Sequence, residues 1–234
     1  MTQASPPEHS ATPSEEAPLS RVQIPAAILY GVFFLSGMAA LIYQLIWQRA
    51  LFTIYGTNTE SVTIVVAAFM LGLGIGSLVG GELSKRMKGY LLLVFAVLEV
   101  LIGVYGVLSL AIFEWMGTMT LGASVGTAGT VSFLTVLFPT SLMGATLPML
   151  VAHLVAATGN VGRSVGRLYF VNTLGSAAAC FWGALSLFHS SGMQGAVYTA
   201  AAINGIVAAI IFIAYAIQRS GPEDAAALSS ETDA

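Results

Sequence analysis

The feature that most limits this chain is a series of long, almost uncharged apolar runs, each of twenty or more residues. They occupy approximately 25–47, 61–82, 90–113, 128–156, 165–188 and 193–217. Crossing about 30 Å of hydrocarbon takes roughly 20 residues of helix, so each run is long enough to span a bilayer. Lipid offers no partner for a free backbone N–H or C=O, which leaves helices or closed barrels as the spanning structures. A membrane barrel is written in short alternating segments, whereas these runs are continuous. The expectation is an all-α, polytopic membrane protein with six transmembrane helices.

Composition supports that solvent. Only 8% of the residues are charged and 56% are hydrophobic, against about 25% charged in soluble domains. Most of the acids fall near the two ends of the chain, and no basic surface suggests nucleic acid. Residues 1–20, rich in Pro, Ser, Thr, Ala and Glu, have the makeup of a disordered tail, and 220–234 are similar in kind. The six-helix domain is therefore expected over 21–219.

Orientation follows from Lys and Arg, which accumulate on the cytoplasmic side. Six spans put both tails and the second and fourth loops on one side. That side holds Arg21, Lys85, Arg86, Lys88, Arg163, Arg167 and Arg219, and the other holds Arg49. Both termini are accordingly expected to be cytoplasmic, in a plasma (inner) membrane. The stretch 114–127, with Trp115 and Met116, reads as the longest loop, lying along the interface.

Small and polar residues inside the runs mark candidate contacts. Gly72, Gly76 and Gly80 recur every fourth residue, the spacing that lets two helix backbones approach closely in lipid. They are expected to form a tight intramolecular seam. Pro139 and Pro148 each remove a backbone donor, and Thr140, Ser141 and Thr146 offer hydroxyls nearby. A kinked or locally broken helix, with a gating role as the functional alternative, is expected there.

Glu99 lies about ten residues into the third run. A charged carboxylate at that depth costs at least ~2.5 kcal/mol, so it must carry a proton, accept hydrogen bonds or face a wet cavity. Tyr169, Asn172, Thr173 and Ser176 follow i, i+3, i+4, i+7, one helix face, and Asn172 falls at a depth that makes it a candidate partner for Glu99. Gln44 and Gln48, with Tyr43 and Trp47, read as interface anchors, Gln44 also being a candidate for the polar site. Glu60 could pair with Arg49. Cys180 reads as a small packing residue, and His153 as a lone histidine with no companion ligand. No catalytic set, metal cluster or cofactor loop is visible. The cluster from Gly72 to Gly81 mimics a dinucleotide fingerprint, but it sits inside a membrane run and not after a strand.

Five ordered blocks carry a family resemblance: FFLSGMAALIYQLIWQR (33–49), AAFMLGLGIGSLVGGELSKR (67–86), LEVLIGVYG (98–106), PTSLMGATLPML (139–150) and GRLYFVNTLGSAAA (166–179). In this order they resemble the membrane domain of the spermidine synthase-like proteins, the fused membrane/aminopropyltransferase type. The resemblance implies a membrane region that often precedes a soluble domain binding decarboxylated S-adenosylmethionine. No counterpart of that soluble domain is present in these residues, so the resemblance does not bring an aminopropyltransferase activity with it. The GELSKRMKG stretch (81–89) also faintly resembles the cytoplasmic loop of major facilitator transporters, of which six helices would be half. Two functions follow as expectations. One is a non-catalytic membrane module that anchors or partners a separate aminopropyltransferase-like or other protein. The other is a transporter of polyamines or other cations working as a homodimer.

Overall fold

A computed structural model describes residues 24–56 and 58–232. The N-terminal stretch 1–20 and Arg21 lie outside the described residues. Those residues hold helices and short connections, with no strand among them. In chain order the helices are α1 (Ala26–Tyr55), α2 (Asn58–Arg86), α3 (Leu91–Met119), α4 (Val125–Thr158), α5 (Val161–Trp182) and α6 (Phe188–Thr232). A 3-10 turn, Lys88–Tyr90, joins α2 to α3, and a π-helical turn, Gly183–Leu187, leads from α5 into α6.

Five stretches are long and apolar enough to cross a membrane: Ala26–Ile54, Thr59–Arg86, Lys88–Met119, Val125–Thr158 and Val161–Gln218. The last, at 58 residues, would measure roughly 87 Å as a straight helix. It is not straight. Gly192 leaves helical geometry at φ 63° and ψ −171°, a region that a residue without Cβ enters readily. The stretch 220–234, expected as a tail, overlaps the end of α6.

Local signals set the helix ends. Ser124 caps α4 by accepting a hydrogen bond from the Thr127 N–H at 3.2 Å, and Asn160 caps α5 by accepting from Arg163 at 2.9 Å. Both satisfy donors that a first helical turn leaves free. Gly159 closes α4 in the left-handed region, its N–H bonded to the Val155 carbonyl at 2.8 Å, the usual use of glycine just past a helix. The helices run further than hydropathy alone suggested. α3 continues to Met119, so the expected loop 114–127 shrinks to Thr120–Ser124. Trp115 is exposed on that helix, while Met116 is buried and its sulfur accepts from Ser132 of α4 at 3.4 Å.

Two packing units emerge. In the first, α2 lies parallel to α4. A Cβ on Gly72 would collide with Thr140, on Gly76 with the Ser141 carbonyl, and on Gly80 with Ala145, while Gly144 of α4 abuts the Leu73 backbone in return. The glycine repeat is therefore an intramolecular seam, as expected. Thr140 adds a hydrogen bond to the Ala68 carbonyl across it. In the second unit, α1 runs beside α3 in parallel: Ser36 meets Glu99, Tyr43 covers Gly106, and Ile54 reaches Gly117. α5 packs on the other flank of α1, also in parallel: Asn172 meets the Phe33 carbonyl and, four residues on in both helices, Ser176 meets the Gly37 carbonyl, with Gly175 against the Phe34 backbone between them. α6 crosses α3 at Gly103, whose Cβ would meet Asn204 and the Ala201 carbonyl.

α4 passes Pro139 and Pro148 without a break in the helix, so of the kinked or locally broken helix expected there the break is absent. Proline at 139 removes the donor that would bond the Thr135 carbonyl four residues back. That carbonyl accepts instead from the Tyr105 hydroxyl of α3 at 2.7 Å. Thr140 and Ser141 bond back to the Val136 and Leu137 carbonyls, as hydroxyls in a helix commonly do.

The outward faces are apolar, with Leu78, Leu121 and Leu185 among the most exposed side chains. Such surface is unfavourable in water in this amount and is the face hydrocarbon requires.

Candidate functional site

Glu99 is completely buried. Its two oxygens are held from two directions: Ser36 Oγ of α1 donates to Oε1 at 2.6 Å, and Asn204 Nδ2 of α6 donates to Oε2 at 2.6 Å. Three helices thus converge on one carboxylate, each supplying one polar side chain. Both hydrogen bonds are short. Among the described residues no Lys or Arg forms an ion pair with Glu99; Glu82 pairs with Lys85 at 3.4 Å and with Arg86 at 3.1 Å, exposed at the end of α2.

An aromatic block closes the seam on the side away from the basic loops. Tyr43 stacks on Trp47 with centroids 5.4 Å apart, and Trp47 is surrounded by Phe69, Tyr105 and Phe113 at 5.8–6.2 Å. Tyr43 and Trp47 are fully buried, which corrects their reading as interface anchors. Their polar atoms, Tyr43 Oη and Trp47 Nε1, have no hydrogen-bond partner, and neither has Asn204 Oδ1.

The expected face of α5 divides in two. Asn172 donates to the Phe33 carbonyl of α1 at 3.1 Å, not to Glu99, and Ser176 donates to the Gly37 carbonyl at 3.0 Å. Tyr169 is 65% exposed, and Thr173 bonds back to the Tyr169 carbonyl of its own helix. Asn172 and Ser176 therefore fasten α5 to α1, and Tyr169 and Thr173 face outward. Gln44 is half-buried and makes no hydrogen bond to Glu99. Arg49 lies over the Phe188 ring at 4.8 Å, a cation–π contact. Cys180 is exposed on α5 and so is not packed inside the chain. Among the described residues no three His, Cys, Asp or Glu side chains come together as a metal set. A shallow groove of about 430 Å³ on the flank of α2 and α4, lined by Thr63, Ala67, Gly126, Gly129 and Phe133, does not include Glu99.

Sequence reasoning located Glu99 but missed both residues that hold it. Asn204 is the single strongly polar residue deep in the last apolar run, and a buried amide, like a buried acid, needs a partner. Those two demands, matched by depth, were the available signal. Ser36 gave a weaker one, since serine sits in membrane helices at little cost.

Comparison with protein-family models, with curated proteins and with solved structures returned no match for this chain.

Proposed function

We propose that the chain is a non-catalytic integral membrane module, resembling the membrane part of spermidine synthase-like proteins, that anchors or partners a separate aminopropyltransferase-like or other protein. The observation that carries this reading is the enclosure of Glu99. The deep acid is fully buried and both oxygens are engaged by protein donors. It acts as a pin joining α1, α3 and α6, where a transport path would present an acid to a wet passage.

The module crosses the membrane six times with both ends cytoplasmic. The break at Gly192, the parallel packing of α5 on α1 and the crossing of α6 against α3 support α5 and α6 as separate spans. In that arrangement Lys85, Arg86, Lys88, Arg163 and Arg167 share one face and Arg49 lies at the other, the asymmetry expected of cytoplasmic loops. Reporter tags at the two termini should map to the cytoplasmic side; opposite sides would remove the six-span arrangement.

The functional test uses the full chain in two formats. Co-expressed with a soluble aminopropyltransferase-like protein, it should retain that protein through detergent purification. In proteoliposomes it should move no polyamine. Uptake that is present in the wild type and lost in Glu99→Gln would make the chain a transporter and end the anchoring reading.

A further inference from the structure

The carboxylate pin leaves two demands unmet at one place. The first is charge. Glu99 is enclosed at the meeting of three helices, and among the described residues no cationic side chain pairs with it. The second is a lone acceptor. Asn204 is 2% exposed, its Nδ2 is committed to Glu99, and its Oδ1 has no partner. Because Nδ2 and Oδ1 share one amide carbon, this orphan oxygen stands beside the carboxylate. A buried acceptor without a donor is costly, and so is an uncompensated buried charge.

Three occupants could answer these demands, and they answer them differently. A proton on Glu99 neutralises the charge but, with the Asn204 amide donating to the carboxyl, leaves Oδ1 unpaired. A water pairs with Oδ1 but leaves the charge. A cation bound by oxygens does both. An ionised carboxylate has about four acceptor sites, and Ser36 and Asn204 fill two of them. The remaining lone pairs of Glu99, with Asn204 Oδ1 and Ser36 Oγ, are hard oxygen ligands of the kind that suits hard cations. One carboxylate balances one positive charge, which selects a monovalent ion over calcium or magnesium in this interior. Tyr43 and Trp47, both fully buried, shut the seam above the cluster.

We propose that Ser36, Glu99 and Asn204 form a binding site for a monovalent metal cation at the junction of α1, α3 and α6, with sodium as the probe. This goes beyond the anchoring function: a resident ion would stiffen the bundle with or without a soluble partner.

The test is equilibrium binding of radiolabelled sodium to the detergent-purified full chain, alongside thermal unfolding in sodium, potassium and choline chloride at equal ionic strength. An ion that binds only the folded state stabilises it by mass action. Wild type should bind sodium and unfold about 5 °C higher in saturating sodium than in choline. Glu99→Gln and Asn204→Ala should lose both effects. Absence of bound sodium in the wild type, with equal unfolding temperatures in all three salts, would overturn the site and assign the cluster to a proton or a water. Should either variant fail to fold, the wild-type binding result still decides. Failure of the sodium test leaves partner retention unaffected, so the two proposals are judged separately.

Discussion

The α2–α4 seam and the α1–α3–α6 junction solve the same problem with opposite means. Neither can draw on the hydrophobic effect, because lipid is as apolar as leucine. The α2–α4 seam removes side chains: Gly72, Gly76, Gly80 and Gly144 bring two backbones into contact, and attraction comes from van der Waals packing over their length. The junction adds polar groups and spends them on one another, with Ser36 and Asn204 closing on Glu99. The first device is distributed and tolerates no added volume. The second is concentrated and tolerates no loss of a partner.

That contrast can be broken at either end. The largest effect is expected for Gly76→Leu, because the added side chain meets the Ser141 carbonyl and the Gly144 Cα, both backbone. A loss of about 3 kcal/mol, seen as loss of the monodisperse peak on size exclusion in detergent, is expected. Gly74→Ala and Gly81→Ala have open space and should change stability by less than about 0.5 kcal/mol. If all three behave alike, the seam is not held by close approach.

Next in size is Glu99→Ala, which strands Ser36 Oγ and the Asn204 amide in the interior. It should cost about 2 kcal/mol, measured by thermal unfolding, whereas Glu99→Gln, which can still pair with both, should cost less than half of that. Equal losses would mean that the volume of the side chain matters and not its polar contacts.

Tyr105→Phe tests the link between the two units. It frees the Thr135 carbonyl that Pro139 leaves without a helical donor, at a cost of about 1 kcal/mol. Adding Pro139→Ala restores the helical N–H, so the double variant should be less destabilised than the two single changes summed. Strict additivity would deny the connection.

The smallest effects are expected on α5. Asn172→Ala and Ser176→Ala each remove one hydrogen bond to α1 and should cost about 0.6 kcal/mol apiece, the average found for such bonds in membranes.

The sequence was most informative where the bilayer imposes a scale. Run length set the helices, and four-residue spacing set the glycine seam, because both depend only on position along the chain. The ends of α1 and α3 ran past the expected limits because polar residues such as Gln48, Arg49 and Glu114 interrupt hydropathy without interrupting backbone hydrogen bonding. Depth was also legible, and it singled out Glu99. Azimuth was not. Asn172 lies at a depth compatible with Glu99, yet the rotation of α5 aims it at the Phe33 carbonyl. The same blindness hid the burial of Tyr43 and Trp47, whose residue types read equally well at an interface or in a core, and the outward face of Cys180.

Tyr105 and Glu99 leave α3 in different directions, one toward α4 and the other toward α1 and α6. Two polar tethers on different faces fix the rotational setting of a rod that apolar packing alone would leave free to turn. A twist of α3 about its axis would strip the acid of its donors and uncover the carbonyl opposite the proline in the same movement. This helix is the axle of the bundle, and a ligand or partner that sought to reshape the protein would have to break both tethers together.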